Sequence, residues 1–96
     1  MISKNGAQIC GFNLIGSIFP ADYLKENCKN AGCMISDVYD GKYEYFLGFE
    51  SDTKSHIWTV YASVSINADN GNAIFLDYRL PSGLRMKNPV KRVRLS

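Results

Sequence analysis

The sequence predicts a two-layer α+β fold in which one amphipathic helix packs on an antiparallel sheet of about four to six strands. Three observations carry that prediction. Residues 20–31 repeat their apolar side chains at helical spacing. Two later stretches alternate apolar and polar residues on either side of a short turn, the first about Asp40-Gly41 and the second about Asp69-Asn70-Gly71. The expected order is strand, helix, hairpin, hairpin, strand.

Residues 1–7 read as a loose polar lead-in. From Gln8 to Ile15, Cys10, Phe12 and Leu14 alternate with smaller or polar neighbours, the pattern of a first strand, although Ile9 and Ile15 fall on its other face. Pro20 then suits the first position of a helix, Asp22 its first turn and Gly32 the residue just past its end. Ala21, Leu24, Cys28 and Ala31 make the apolar stripe of this helix, and Lys25, Glu26, Lys29 and Asn30 its wet face.

Asp40-Gly41 supplies the positive φ angles of a two-residue hairpin turn. With that turn, Tyr39 opposes Lys42, Val38 opposes Tyr43, Ser36 opposes Tyr45 and Met34 opposes Leu47. Met34, Val38, Tyr43, Tyr45, Leu47 and Phe49 then face the helix. Asp37 stands across from Glu44 on the far side, with Lys42 beside it and Ile35 and Phe46 as apolar exceptions. In the second hairpin, Trp58, Val60, Ala62, Val64 and Ile66 share the inner face with Ile74, Leu76, Tyr78 and Leu80. Its outer face sets Tyr61 opposite Arg79, within reach of a cation–π contact. Pro81-Ser82-Gly83 closes this hairpin. Val90–Leu95 is a short final strand, with Val93 and Leu95 on one face and Arg92 and Arg94 on the other. The order resembles cystatin-like and helix-grip architectures in topology, a likeness that implies a fold and no function.

Ninety-six residues, 46% of them hydrophobic and 21% charged, suffice for one domain with a packed core, residues 1–96 as a unit. Charge is unevenly spread. Residues 79–96 hold all four arginines with Lys87 and Lys91 and no acid, a charge of +6, whereas residues 1–78 hold five lysines against nine carboxylates, −4, for the formal total of +2. Such an acidic body with a basic C-terminal segment (84–96) speaks of partners before fold. Cys10, Cys28 and Cys33 are expected to be reduced thiols of a cytoplasmic protein. With His56 they lack the paired spacing of a zinc site, and a Cys28–Cys33 disulfide is left open. The apolar run Ile9–Phe19 is broken by Gly11, Asn13, Gly16 and Pro20 and is too short to span a bilayer, so neither a signal peptide nor a membrane segment is expected.

No motif spells out a reaction. His56 is the single histidine and has no nucleophile setting, and Asp37 with Glu44 reads as a solvated cross-strand pair beside Lys42. Gly11–Gly16 lacks the Lys-Ser/Thr of a phosphate loop, and Asn67–Gly71 lacks the closing Glu of a calcium loop. No catalytic residue, metal or cofactor is expected. The expected function is therefore binding, through a basic strand offering Arg79, Arg85, Lys87, Lys91, Arg92 and Arg94, with Tyr61 and Phe75 as flanking rings. An apolar outer patch of Ile35, Phe46, Ile57, Tyr61 and Phe75 adds a surface for self-association as a homodimer. An acidic protein is the expected partner, as for the inhibitors, antidotes and adaptors that mobile elements carry. Nucleic acid is the alternative, because Arg92 and Arg94 stand two strand rises apart, near the phosphate spacing of a single strand. A third reading is a small-ligand carrier whose pocket is lined by Tyr43, Tyr45, Trp58 and Tyr78.

Overall fold

A computed structural model describes residues 1–22, 26, 32–52, 54–55, 57–79 and 90–95, and all their side chains except those of 49–52 and 57–58. One helix packs on a five-stranded antiparallel sheet. The helix, α1, is Lys4–Ile18, and the strands are β1 (Gly32–Ile35), β2 (Lys42–Asp52), β3 (Ile57–Asn67), β4 (Ala73–Tyr78) and β5 (Lys91–Arg94). Each strand pairs with the next in the chain, so the sheet is a meander with β1 and β5 at its two edges.

The first element corrects the sequence expectation. The strand anticipated over 8–15, and part of the lead-in before it, are the helix α1. Ser3 caps it, its hydroxyl accepting from the Gly6 amide at 3.0 Å. Ala7, Gly11 and Ile15, four residues apart, form the buried stripe. Gly11 is required here, because a Cβ at that position would overlap the Tyr45 ring on β2. The helix expected over 20–31 lies outside the described residues, except that Ala21, Asp22 and Glu26 are helical.

The Asp40-Gly41 turn forms as expected, with φ of 51° and 72°, and Tyr39 and Lys42 exchange both backbone hydrogen bonds. Beyond it the expected register fails by one residue. Ile35 opposes Tyr45, Met34 opposes Phe46 and Cys33 opposes Leu47. The cause is Ser36. Its amide donates to the Glu44 carbonyl at 2.9 Å, while the Glu44 amide donates back to the Ser36 hydroxyl at 3.0 Å. A side chain thus replaces a backbone acceptor and absorbs one residue as a bulge. A one-residue slip exchanges faces. Met34 and Val38, expected against the helix, are exposed, and Ile35 packs on the core.

The second hairpin keeps its register: Ala62 opposes Tyr78, Ser63 opposes Asp77, Val64 opposes Leu76 and Ser65 opposes Phe75. A shift after Ser65 leaves Ile74 unpaired before the polar turn, where Gly71 takes φ 78°. Between β2 and β3 another shift makes Tyr61 the extra residue, opposite the step from Leu47 to Gly48. The core is Tyr43, Tyr45, Leu47, Ala62, Val64, Ile66 and Leu76 from the sheet against Ala7, Ile15 and Phe19.

Candidate interaction site

The sheet has two faces of different chemistry. On the outer face, one row runs across four strands as Phe46, Ser63, Asp77 and Arg92, and the next as Glu44, Ser65, Phe75 and Arg94. Residues directly opposite in neighbouring strands touch. Arg92 therefore grips Asp77 with two hydrogen bonds, Nε to Oδ1 at 2.7 Å and Nη2 to Oδ2 at 2.8 Å. Its guanidinium also lies over the Phe75 ring, 4.7 Å from the centroid, and that of Arg94 at 5.7 Å. The hydrogen bonds from Arg92 hold the Asp77 carboxyl below its ordinary range and raise Arg92 in turn. Ser65 donates to Glu44 at 2.7 Å in the adjoining row.

Beside this cluster lies a cavity of about 270 Å³ lined by Phe46, Tyr61, Ser63, Asp77, Arg79 and Val90, among others. The Arg79 amide donates to the Tyr61 carbonyl at 3.0 Å, the pairing expected from the register. Its side chain is unusual. The Arg79 Nε is buried and has no hydrogen-bond partner among the described residues. An orphaned buried donor on a cation is costly and calls for an acceptor.

The expected basic track is thus only partly assembled. Arg92 and Arg94 meet over Phe75, and Arg79 lines the neighbouring cavity with Tyr61, whereas Lys91, opposite Tyr78, falls on the helix side of the sheet and outside the expected track. Arg85 and Lys87 lie outside the described residues. The role of Asp77 escaped the sequence reading. Its signal was the alternation that puts Asp77 on the same outer face as Arg92. Of the expected outer apolar patch, Ile35 is on the helix side, Tyr61 is buried and Phe75 underlies two guanidinium groups. The Ile57 side chain lies outside the described residues.

Of the four residues expected to share a ligand pocket, the three whose side chains are described do not line one cavity. Tyr43 donates to the Ile2 carbonyl at 3.0 Å. Tyr78 meets Phe19 edge-on at 6.1 Å. The Trp58 side chain lies outside the described residues. Tyr45 lines a groove of about 530 Å³ between α1 and β1, with Asn5, Gln8, Ile9, Phe12 and Cys33. Burial, and then its hydrogen bond with Cys33, pushes the Tyr45 phenol well above its ordinary value, so it stays protonated. Cys33 and Cys10 are exposed free thiols. Asp37 and Glu44 are not the cross-strand pair expected, because the Ser36 bulge turns Asp37 to an ion pair with Lys4 at 2.8 Å.

No protein family, curated protein or solved structure matches the chain. Among the described residues, no helix is long and apolar enough to cross a membrane.

Proposed function

We propose that this chain is a non-enzymatic, self-associating interaction protein whose outer sheet face receives an acidic segment of a protein partner. The observation that carries the reading is the buried Nε of Arg79, unpartnered among the described residues, in a cavity beside the Arg92–Asp77 pair. An incoming carboxylate supplies the missing acceptor, and charge-assisted hydrogen bonds of that kind are the strong ones. Phe46 and Tyr61 give the rest of the segment an apolar floor, and Arg94 over Phe75 extends the positive surface along β5. Inhibitor, antidote or adaptor proteins work through surfaces of this size and need no reaction centre.

Nucleic acid is the second reading, favoured only by the two guanidinium groups aligned on β5. Against it, Arg92 is already neutralised by Asp77, and Glu44 adds negative charge nearby. The two readings part in one experiment. A labelled Glu/Asp-rich peptide and a labelled single-stranded oligonucleotide are each titrated by anisotropy at low and moderate salt. The expected result is peptide binding that weakens tenfold or more in Arg79→Ala and recovers in part in Arg79→Lys, with thermal melting unchanged. Oligonucleotide affinity whose logarithm falls by several units per log unit of salt, with no peptide binding, would hand the surface to nucleic acid.

A further inference from the structure

The helix α1 is apolar on more than one side. From Asn5 to Ala21 the sequence contains no Asp, Glu, Lys, Arg or His. The stripe of Ala7, Gly11 and Ile15 is buried on the sheet, yet Ile9 and Phe12, on the flank towards β1, are 61% and 64% exposed. A helix that is apolar all round belongs between two surfaces, and only one of them is in this chain's described fold. Ile9 and Phe12 also line the groove above Cys33.

The strand beneath that groove is an open edge. Because the Ser36 amide bonds to β2, alternation along the strand aims the amides of Met34 and Gly32 at β2 and those of Cys33 and Ile35 outwards. Among the described residues nothing pairs with this outward side. The usual guards of an edge are absent: Gly32–Ile35 has no charge and no proline. Met34, Val38 and Tyr39 add exposed apolar surface along the same margin, where the one charge between Gly32 and Tyr39, Asp37, is matched by Lys4.

We infer that a second copy of the chain covers this margin, the two β1 strands pairing antiparallel about a two-fold axis so that the sheets join into one of ten strands. The inference rests on the self-associating reading above and specifies its surface. Cys33 of one copy exchanges both backbone hydrogen bonds with Ile35 of the other, and Met34 faces its own symmetry mate as a non-hydrogen-bonded pair. The two helices, each seated over β2, stand about three strand spacings apart, roughly 14 Å. That is wider than direct helix contact and leaves the space between them to Ile9 and Phe12 from both sides. The exposed parts of Ile9, Phe12, Met34, Val38 and Tyr39 come to roughly 600 Å² per copy if all are covered, enough to supply the apolar share of a standard interface of about 800 Å² per partner.

Three measurements test it. Sedimentation of the unaltered protein should give twice the 10.8 kDa chain mass at concentrations on the order of 10 μM and above; a monomer throughout overturns both the inference and the self-associating reading. In a chain with its three cysteines changed to serine, Met34→Cys should form a disulfide-linked dimer under mild oxidation, since the facing Cα atoms of such a pair lie about 4.5 Å apart. Val93→Cys on β5 should not. A dimer by sedimentation that is trapped through Val93→Cys and not Met34→Cys overturns the inference and leaves self-association standing. Met34→Lys should weaken the dimer at least tenfold with the circular dichroism of the monomer intact; an unchanged dimer overturns it.

Discussion

The two edges of the sheet, β1 and β5, are both four residues long and are built from opposite materials. β5 reads Lys-Arg-Val-Arg, is exposed throughout and is tied inwards by the Arg92–Asp77 pair. β1 reads Gly-Cys-Met-Ile, has no charge and lies beneath a helix with no charge after Lys4. Long cationic side chains on an edge repel further strands, so β5 ends the sheet. Nothing of the kind ends it at β1. The difference gives the chain's charge asymmetry a reading within the fold itself: the positive segment guards one margin of the sheet, and the other margin carries no charge on its strand.

The largest change to this contrast should come from Gly11→Ala. Its new Cβ overlaps the Tyr45 ring, so α1 must lift from β2, and unfolding in urea should show a loss of about 2–3 kcal/mol. Hydrogen exchange should rise at Met34 on β1, whose amide is aimed at β2, and stay unchanged at Val93 on β5. Equal loosening of both edges would mean that the helix does not act on β1 in particular. Next in size, Lys91→Val with Arg94→Val strips the guard from β5 while sparing Arg92. Light scattering should then report association in a protein that otherwise stays clear, and a clear solution would dissociate edge charge from solubility here.

A smaller effect follows from pH. Hydrogen bonding to Arg92 depresses the folded-state pKa of Asp77, so this pair stabilises the fold above the ordinary carboxylate value of 3.8 and ceases to as pH falls through the lower folded value. Asp77→Asn should flatten the part of the acid limb below about pH 4 and leave the slope near neutrality alone. A melting curve with the same acid dependence in both proteins would place the acid sensitivity elsewhere. The smallest effect is expected for Lys4→Ala, whose partner Asp37 is fully in solvent. Thermal melting should not resolve it.

Much of the sheet was legible because its turns depend on single residues. Gly41 and Gly71 take positive φ, and such positions announce themselves. The register of the second hairpin follows from alternation alone. The register of the first does not, because it turns on the hydroxyl of Ser36 standing in for a backbone carbonyl, which no period reveals. The helix α1 escaped for a related reason. Its outward Ile9 and Phe12 blur the helical period, and Gly6, Gly11 and Gly16 weaken the local preference. Those same outward residues now argue for a second burial surface. At the site, Arg92, Arg94, Tyr61 and Phe75 were legible as a cluster by strand parity. The neutralising role of Asp77 needed the pairing of β4 with β5, and the buried Arg79 Nε needed the cavity around it.

The order of elements also sets a timetable for synthesis. Every strand pairs with its neighbour in the chain, so the sheet is assembled from nearby contacts, but α1 rests on β1, β2 and β3. The last of these ends at Asn67, about fifty residues after the helix has been made. At about 5–20 residues per second, the ribosome leaves this helix, uncharged after Lys4, waiting roughly 2–10 s for its seat. During that interval both of its apolar flanks are open to water at once, a longer wait than any described strand has for the neighbour it pairs with.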